Sequence, residues 1–326
     1  LEEDIIKVAG MTGNADVRLD KKALIVMCAD NGVVEEGVAS APQSVTLSQT
    51  INFTRRYTGV SSMAKYFGID LLVTDVGVAM EIPQELYTDS MLDDQGKIPV
   101  KIVNRRIANG TRNLAKEAAM TRAEAVRAIL IGLEAAEAMK KAGIQLFGVG
   151  EMGIGNTSSS SLWMTCFTGI PLDQCVGAGS GLNHQGINHK YEVLKRSLEQ
   201  YPGEHSAEEI LCRFGGYEMV MAVGAMLKAA ELGMVILIDG FIMTNCILAA
   251  SRLYPEVMSY AIFGHQGDES GHKLLLDYLG ARPLLNLGLR LGEGSGSVCA
   301  YPIVDSAVKM LNEMDSFAHA SITKYF

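Results

Sequence analysis

The sequence lacks the features that mark several common classes of protein. Its 28 Lys and Arg residues are scattered and its net charge is −9, so nucleic acid is excluded as a partner, because that binding needs clustered positive charge. Its six cysteines contain no CxxC pair, which is typical of reduced thiols in a cytoplasmic protein and not of a disulfide scaffold. No HExxH or GxSxG motif is present, and the histidines are not spaced as metal ligands.

A membrane-spanning segment is also not expected. The one long apolar stretch, residues 227–250, contains Lys228, Glu231 and Asp239. Charges of this kind cost ~2.5–3.5 kcal/mol each at the centre of a spanning helix. We therefore predict the end of a helix followed by a buried strand. No signal peptide is recognisable, and the chain begins at Leu1 inside a helix-like segment, so we expect the natural N-terminus to lie upstream.

Four short apolar runs predict buried strands, at residues 23–28, 69–75, 144–147 and 235–238, each followed by Gly, Asp or Asn. Between them lie helix-like segments, at residues 48–67, 121–141, 206–211 and 217–232. Near-continuous apolar strands joined by helical crossovers predict an α/β fold, a parallel sheet covered by helices on both faces. Ligands bind such sheets beyond the carboxyl ends of the strands. Both chain ends look helical and lie outside the sheet pattern.

Residues 148–153, GVGEMG, follow the third predicted strand and match the GxGxxG pattern of dinucleotide-binding proteins, with Asp173 twenty residues beyond Gly153. That acid should end a second strand, but the residues before it look helical, so an NAD-dependent oxidoreductase is not favoured. A narrower interpretation remains. The motif is a glycine-rich loop that leads into the start of a helix rich in Asn, Thr and Ser. Such a helix start can bind a phosphate or a carboxylate, but a capped helix without a ligand would have the same sequence.

A second glycine cluster, residues 176–181, is VGAGSG, and Lys190 follows nine residues after it. A backbone concavity beside a lysine is a candidate phosphate site. A glycine-rich connection next to a surface lysine would have the same sequence, so this cluster alone leaves both interpretations open.

Residues 289–297 are LRLGEGSGS, and within residues 292–296, which include three glycines, Glu293 is the only ionisable side chain. Glycines let a ligand or the backbone come close, and apolar surroundings raise the pKa of a carboxyl group. Glu293 is therefore a candidate general base, although a solvated acid on a glycine-rich turn would have the same pattern.

Asp239 and His265 are two further residues of types that occur in sites. Residues 235–241, VILIDGF, contain only one acid, whereas diphosphate-dependent phosphoribosyltransferases hold Mg²⁺ with two adjacent acids, so that class is rejected. We expect Asp239 to order a loop at the end of its strand. His265 could line a cleft, but we expect a structural histidine whose hydrogen bonds are satisfied.

Taken in order along the chain, these segments resemble the nicotinate mononucleotide:5,6-dimethylbenzimidazole phosphoribosyltransferase family, which makes the lower-ligand nucleotide of cobamides. The segments that carry the resemblance are residues 26–33, 36–39, 74–77, 110–113, 147–157, 238–241 and 289–296. The resemblance covers nearly the whole chain. Because the motifs occur in the same order as in the family, together they are far more specific than any single motif.

The resemblance implies a large Rossmann-like domain, residues 20–298, and a small helical domain built from residues 1–19 and 299–326. It implies a dimer in which the partner's small domain helps to close each site. It also implies transfer of phosphoribose from nicotinate mononucleotide to an aromatic base, with Glu293 as the general base. Because nicotinate leaves from a pyridinium, no metal or other cofactor is expected.

The resemblance further implies three groups of substrate-binding residues. Those facing nicotinate and ribose would be Glu151, Gly153, Gly155, Asn156 and Thr157. Those at the 5′-phosphate would be Gly177, Ala178, Gly179, Lys190 and, where the family has a serine, Gly267. Those at the acceptor, beside Glu293, would be Ala41, Pro42, Gln49 and Leu291.

The sequence departs from the family pattern at a few positions, and these leave the acceptor open. Ala41 stands where the family has a serine that contacts an acceptor nitrogen, and Asn31 stands where it has a histidine. A related subgroup uses phenol or p-cresol and works as a heterodimer, in which this chain, having Glu293, would be the catalytic one. Two partner states therefore remain, a homodimer or a heterodimer with a homologous chain. A non-catalytic nucleotide-binding subunit is a further alternative, against which Glu293 speaks.

Overall fold

The structure, a computed structural model, describes residues 2–13, 17–315, 319–321 and 323. The strands in this part of the chain are β1 (Lys22–Ala29), β2 (Ile69–Gly77), β3 (Tyr87–Thr88), β4 (Ile102–Asn104), β5 (Leu146–Met152), β6 (Val235–Ile238) and β7 (Ala261–Phe263). The helices are α1 (Glu2–Thr12), α2 (Ser44–Arg55), α3 (Gly59–Tyr66), α4 (Arg122–Lys141), α5 (Asn156–Thr168), α6 (Leu172–Cys175), α7 (His184–Glu199), α8 (Ala207–Phe214), α9 (Tyr217–Glu231), α10 (Phe241–Leu253), α11 (His272–Leu279) and α12 (Ser295–Glu313).

The strands form one sheet in the order β3-β4-β2-β1-β5-β6-β7, and every neighbouring pair is parallel. Side chains of β1 alternate between two hydrophobic clusters: Ile25 and Met27 belong to one, and Leu24 and Val26 to the other. Both faces of the sheet are therefore buried, which is why β1 is apolar without interruption. The predicted α/β, Rossmann-like fold is confirmed.

The two ends of the chain pack on the same face of this sheet. Helices α1 and α12 contact each other, and their apolar side chains share a cluster with β1 and β2. Tyr301 of α12 reaches the sheet itself, with its hydroxyl 2.6 Å from the carbonyl oxygen of Ala23. Residue 298, the predicted domain boundary, lies within α12. The division into two domains stays a prediction.

Three of the four predicted strands are confirmed within a residue or two, but the third was placed wrongly. β5 runs from Leu146 to Met152 and so contains Gly148 and Gly150, which we had assigned to a loop. A side chain at either glycine has no room: a Cβ on Gly148 would lie 2.9 Å from the Cβ of Ser297, and one on Gly150 would lie 2.5 Å from the carbonyl oxygen of Glu293. The glycines mark a strand against which another segment packs.

The predicted helices at residues 121–141, 206–211 and 217–232 are confirmed as α4, α8 and α9, but the helix predicted at residues 48–67 is two helices. The break falls at Arg56, whose φ of 61° ends α2 in the left-handed conformation. Thr58 then begins α3 with a capping box, in which its hydroxyl accepts from the backbone N–H of Ser61.

Several elements were not predicted, including the short strands β3, β4 and β7 and the helices α7, α10 and α11. Residues 227–250 contain the end of α9 and the strand β6, as predicted, followed by α10, which we did not predict. No helix in the described residues is both long enough and apolar enough to cross a membrane. Asp173 lies in α6 and not at the end of a strand, which agrees with the rejection of a dinucleotide-binding motif.

Candidate active site

A cavity of ≈ 270 Å³ opens at the carboxyl edge of the sheet. Its walls include Glu151 and Met152 at the end of β5, Asp239 just after β6, and His265 just after β7. The chain runs from β1 to β2 on one side and continues on the other side from β5, which makes the β1–β5 junction a topological switch point. Ligands of open parallel sheets bind at such points.

Most of the residues proposed from the sequence lie together in the wall of this cavity. They are Ala41, Gln49, Glu151, Gly153, Asn156, Thr157, Gly179, Gly267, Leu291 and Glu293. The remaining residues proposed from the sequence lie outside the wall, and they are Pro42, Gly155, Gly177, Ala178 and Lys190. Of these, Lys190 and Gly177 support the wall from behind, and Gly155 turns the chain into α5 with a φ of 98°.

Glu293 is buried, with 5% of its surface exposed, and holds a left-handed backbone conformation with a φ of 64°. Its Oε1 accepts a hydrogen bond of 2.9 Å from the Gln49 amide, while its Oε2 has no partner within the described residues. Burial raises the pKa of Glu293, and the hydrogen bond from Gln49 opposes that shift. A buried carboxylate with one unpartnered oxygen at a cavity wall has the features of a general base.

Asp239 fixes the loop that carries Glu293. One of its oxygens accepts from the backbone N–H groups of Gly296 at 2.7 Å and Ser297 at 3.2 Å, and the other accepts from Gly294 at 3.1 Å. These donors are the first N–H groups of α12, so the carboxylate also complements the positive end of the helix dipole. The prediction that Asp239 orders a loop is confirmed.

Glu151 lies beside that loop, where a Cβ on Gly292 would be 3.2 Å from its Oε1, and is 6% exposed. Its Oε2 accepts from the side-chain amide of Asn156 at 2.5 Å. Burial, together with the negative charges of Glu218, Asp239 and Glu293, raises the pKa of Glu151 to about 8. Near neutral pH this side chain can therefore present a proton to a ligand, although the sequence pattern identified only its place in the site.

Glu218, which the sequence analysis missed, lies behind Glu151 at the start of α9. It is fully buried, and its Oε1 accepts from the Asn31 amide at 2.9 Å. Burial raises its pKa to about 7. Gly153 and Gly216 leave the space for this carboxylate, because a Cβ on either would lie within 2.6 Å of one of its oxygens. The two glycines were the available sequence signal.

The buried Lys190 lies behind the part of the wall formed by Thr157 and Gly179. Its Nζ donates to Thr157 Oγ1 at 2.9 Å and to the carbonyl oxygen of Gly177 at 3.3 Å. Burial lowers the pKa of Lys190 to about 8, and the charge of Glu269 opposes that shift. Gly179 adopts a left-handed φ of 55°, and a Cβ there would press on Thr157. A hydroxyl group and an ammonium group thus lie together at one end of the cavity.

The wall beside Glu293 is mostly apolar. Ala41 and Leu291 line it, and Gln49 is the polar side chain that contacts the carboxylate there. Leu291 is 49% exposed and packs against Gly59, where a Cβ would lie 2.8 Å from its Cδ2. This subsite can therefore accept a flat apolar ring that makes few polar contacts.

The expectation for His265 was wrong. It is 4% exposed, lines the cavity, and its Nδ1 has no hydrogen-bond partner among the described residues. The histidine that fits the structural description is His272. Its Nδ1 accepts from the Gly267 N–H at 2.8 Å, its Nε2 lies 3.0 Å from Thr244 Oγ1, and burial lowers its pKa to about 3.

Phe241, Glu269 and Arg290 also line the cavity, and the sequence analysis gave none of them a role. Phe241 could have been found, because it closes the segment 238–241 used for the resemblance. The six cysteines all lie in the described part of the chain and are free, as predicted. Within the described residues, no group of three or more His, Cys, Asp or Glu could hold a metal ion.

The arrangement separates charge along the cavity. The carboxylates of Asp239 and Glu293 give one end a negative field, which favours a cation or a positively charged transition state, and the protonated Glu151 lies beside them. Lys190 and the hydroxyl of Thr157 give the other end donors for an anion. A substrate that has a cationic ring joined to a phosphate would match both ends.

Comparison with known proteins agrees with this arrangement. The chain matches the DBI_PRT phosphoribosyltransferase family over residues 1–322. It is 52% identical to the nicotinate-nucleotide–dimethylbenzimidazole phosphoribosyltransferase of Bacteroides fragilis, over 100% of this chain and 90% of that protein. It is 54% identical to the protein of the same name from Phocaeicola vulgatus, over 93% of this chain and 84% of that protein.

Solved structures give the same result. The crystal structure of CobT from Thermus thermophilus superposes with a TM-score of 0.91 at 34% identity, covering 99% of this chain and 92% of that one. The resemblance drawn from the sequence is thereby confirmed for the family. The chain belongs to the DBI_PRT phosphoribosyltransferase family and is an enzyme of the pentosyltransferase class.

Proposed function

We propose that the protein transfers phosphoribose from nicotinate mononucleotide to 5,6-dimethylbenzimidazole, giving α-ribazole phosphate and nicotinate. The observation that carries this proposal is the position of Glu293, a buried carboxylate with one unpartnered oxygen, among the described residues, in an apolar-walled subsite. The names of the relatives, which are 52% and 54% identical to this chain, support the same pair of substrates.

In the proposed reaction one imidazole nitrogen of the acceptor attacks C1′ of the ribose. The C1′–N bond to the pyridinium ring breaks, and its electron pair returns to the ring nitrogen, which releases nicotinate. The proton on the other imidazole nitrogen passes to Glu293, which is a base only when deprotonated. Because the leaving ring loses its positive charge as it departs, the chemistry needs no metal to stabilise the leaving group.

Positive charge that develops on the ribose would be stabilised by the acidic end of the cavity. Asp239 and Glu293 line that end, and Glu151 lies beside the loop of Glu293, where a Cβ on Gly292 would be 3.2 Å from its Oε1. Electrostatic stabilisation of this kind is strong when the charged groups are held in place and excluded from water. Glu151, with a pKa of about 8, is also suited to donate a hydrogen bond to the nicotinate carboxylate.

The 5′-phosphate would bind at the other end of the cavity, between Thr157, Gly179 and Lys190. Lys190 is fully buried and makes no ion pair within 4.0 Å in the described residues. A dianion would therefore compensate a charge that is costly to bury alone. Gly267, in the position of a family serine, lines the same end of the cavity and offers no side-chain hydroxyl there.

A phenolic acceptor is the second candidate, and Ala41 is the observation that favours it. Ala41 lines the acceptor wall with a methyl group, so Glu293 and Gln49 supply the polar contacts that we identify there. A phenol, which has one oxygen, needs no second partner. We further propose a dimer, homo- or heteromeric, that works in the cytoplasm, as the sequence resemblance and composition predict.

The test is release of nicotinate from nicotinate mononucleotide by the purified chain in EDTA, with products separated by HPLC. Parallel reactions contain 5,6-dimethylbenzimidazole, phenol or no acceptor, and Glu293→Gln serves as the matched inactive control. We expect release and a new nucleotide product with the benzimidazole only. Release with phenol alone would show that the acceptor is a phenol and not the benzimidazole. No release with either compound would contradict self-sufficient catalysis by this chain.

A further inference from the structure

Glu269 connects two loops at the phosphate end of the cavity. It lies in the segment between β7 and α11, and its Oε1 accepts a hydrogen bond of 3.2 Å from the backbone N–H of Gly179. A Cβ on Gly177 would lie 2.2 Å from the same oxygen, so the carboxylate packs directly on the backbone of the glycine loop. Glycine at position 177 is what allows that approach.

The segment that carries Glu269 is itself held firmly. The backbone oxygen of Glu269 accepts from the N–H of His272 at 2.9 Å, and His272 in turn contacts Gly267 and Thr244. Asp268, the residue before Glu269, donates its N–H to the carbonyl oxygen of Leu289 at 3.0 Å. Because this segment is fixed, the hydrogen bond from Gly179 to Glu269 also restrains the loop at Gly177–Gly179.

Glu269 also acts on the buried lysine. Lys190 donates to the carbonyl oxygen of Gly177, so the lysine and the carboxylate hold the same loop from two sides. Apart from burial, the charge of Glu269 is the influence that shifts the pKa of Lys190, and it acts in the direction that keeps the lysine protonated. No other ionisable side chain of the described residues contributes to that shift.

We propose that Glu269 is a positioning residue for phosphate recognition: it holds the Gly177–Gly179 loop, to which Lys190 also donates, in its binding conformation. The inference rests on the proposed phosphate site and extends it to a residue that need not contact the substrate. The anion would bind to Lys190 and Thr157, while Glu269, which also lines the cavity, stays hydrogen-bonded to the backbone of Gly179.

Binding of ribose 5-phosphate, measured by titration calorimetry, tests the inference without any need for turnover. Glu269→Ala removes both the acceptor for the Gly179 N–H and the charge. We expect affinity at pH 7 to fall roughly 10-fold, the size expected when about one loop residue must be ordered on binding. Asp173→Asn, an exposed acid of α6 outside the cavity, is the matched control and should bind as the unmodified chain does.

Glu269→Gln separates the two roles, because its side-chain oxygen can still accept from Gly179 while its charge is lost. We expect near-normal affinity at pH 7 and a loss of affinity that sets in at lower pH than in the unmodified chain. The reason is that Lys190, with a pKa of about 8, would lose its proton earlier without the carboxylate. The range from pH 7 to 9 suits this test because the second pKa of phosphate lies lower, at ~6.

Two results would overturn the inference. Unchanged or tighter binding in Glu269→Ala would mean that the carboxylate is a bystander or competes with the phosphate. An identical pH dependence in Glu269→Gln and the unmodified chain would remove the action on Lys190. Lys190→Ala distinguishes this from a failure of the proposed function: if that variant binds ribose 5-phosphate normally, the phosphate site itself is elsewhere, and both proposals fail.

Discussion

The two ends of the cavity are built in different ways. At the acidic end, Glu293 is fixed by the backbone: its φ is 64°, and the glycines on both sides are left-handed too, at 72° and 89°. Asp239 binds three N–H groups of the following turn. At the phosphate end, the glycine loop is held by side chains, those of Glu269 and Lys190.

This difference between the two ends of the cavity indicates which end must be rigid. A general base has to stay within hydrogen-bonding distance of the proton that it removes, and an error of about 1 Å can cost ~10²-fold in rate. Backbone strain supported by the sheet supplies that accuracy. Phosphate recognition tolerates more movement, because three oxygens and several donors can pair in more than one way. Substitutions at the acidic end should therefore change kcat, and those at the phosphate end should change KM.

The largest effect is expected for Glu293→Gln. The amide keeps the shape of the side chain but cannot accept a proton, so kcat should fall by roughly 10²–10⁴-fold while binding of nicotinate mononucleotide stays nearly intact. Single-turnover kinetics and calorimetry check the two parts separately. A rate close to that of the unmodified enzyme would remove the catalytic assignment, and with it the contrast between the two ends.

A smaller effect is expected for Gly150→Ala, which tests the backbone support of Glu293 without touching its side chain. The added Cβ would lie 2.5 Å from the carbonyl oxygen of Glu293, so the loop must move. We expect kcat to fall by roughly 10–10²-fold and the free energy of unfolding to fall by ~1–3 kcal/mol.

The matched control for Gly150→Ala is Gly10→Ala, in α1, where a Cβ would have nothing within 4 Å. Alanine is the better helix former, so this change should stabilise the protein by ~0.5–1 kcal/mol and leave kcat unchanged. Thermal unfolding measures the change in stability of both variants, and steady-state kinetics measures their kcat. If Gly150→Ala keeps full activity, the accuracy at this end does not depend on the strand.

The smallest effect is expected for Gln49→Leu, which removes the hydrogen bond to Glu293. That bond lowers the pKa of Glu293, so its loss raises the pKa further. Because the base acts when deprotonated, kcat/KM should begin to rise at a higher pH than in the unmodified enzyme. Below neutral pH the loss should be ~10-fold at most, since a typical hydrogen bond contributes ~0.5–1.5 kcal/mol.

A pH–rate profile of kcat/KM checks this prediction. The two enzymes should converge at high pH, where Glu293 is deprotonated in both. A loss of the same size at every pH would mean that Gln49 acts by binding the acceptor and not by tuning the base. The comparison between the two ends of the cavity would then depend on Glu293→Gln and Gly150→Ala alone.

Much of the fold was predictable because the local pattern of apolar and polar residues matches the burial of those residues in the structure. β1 and β6 are apolar on both faces and are followed by turn residues, and α4 begins with a capping box at Thr121. The break at Arg56 was missed, although the N-cap residue Thr58 and the poor helix former Gly59 were a sequence signal for it. The strands β3 and β4, at one end of the sheet, are two and three residues long, too short to show a period.

The site was predictable in its members but not in their connections. Glycine patterns and the family resemblance identified Glu293, Glu151 and Lys190. Glu218 and Glu269 were missed, because each is an ordinary helix or loop acid until the fold brings it against a glycine that is distant in the sequence. His265 was misjudged for the same reason, since its neighbours in the chain do not reveal that its Nδ1 lacks a partner among the described residues.

The sequence by itself determined the class of sheet, the family and the identity of the candidate base, because apolar runs, glycine spacing and motif order are all local. Only the tertiary structure decided that Gly148 and Gly150 belong to a strand, that Asp239 holds the turn of Glu293, and that three acids share one end of the cavity. Those facts depend on contacts between segments that are far apart in the chain. Burial and mutual repulsion there set the protonation of side chains, and neither can be calculated before the chain has folded.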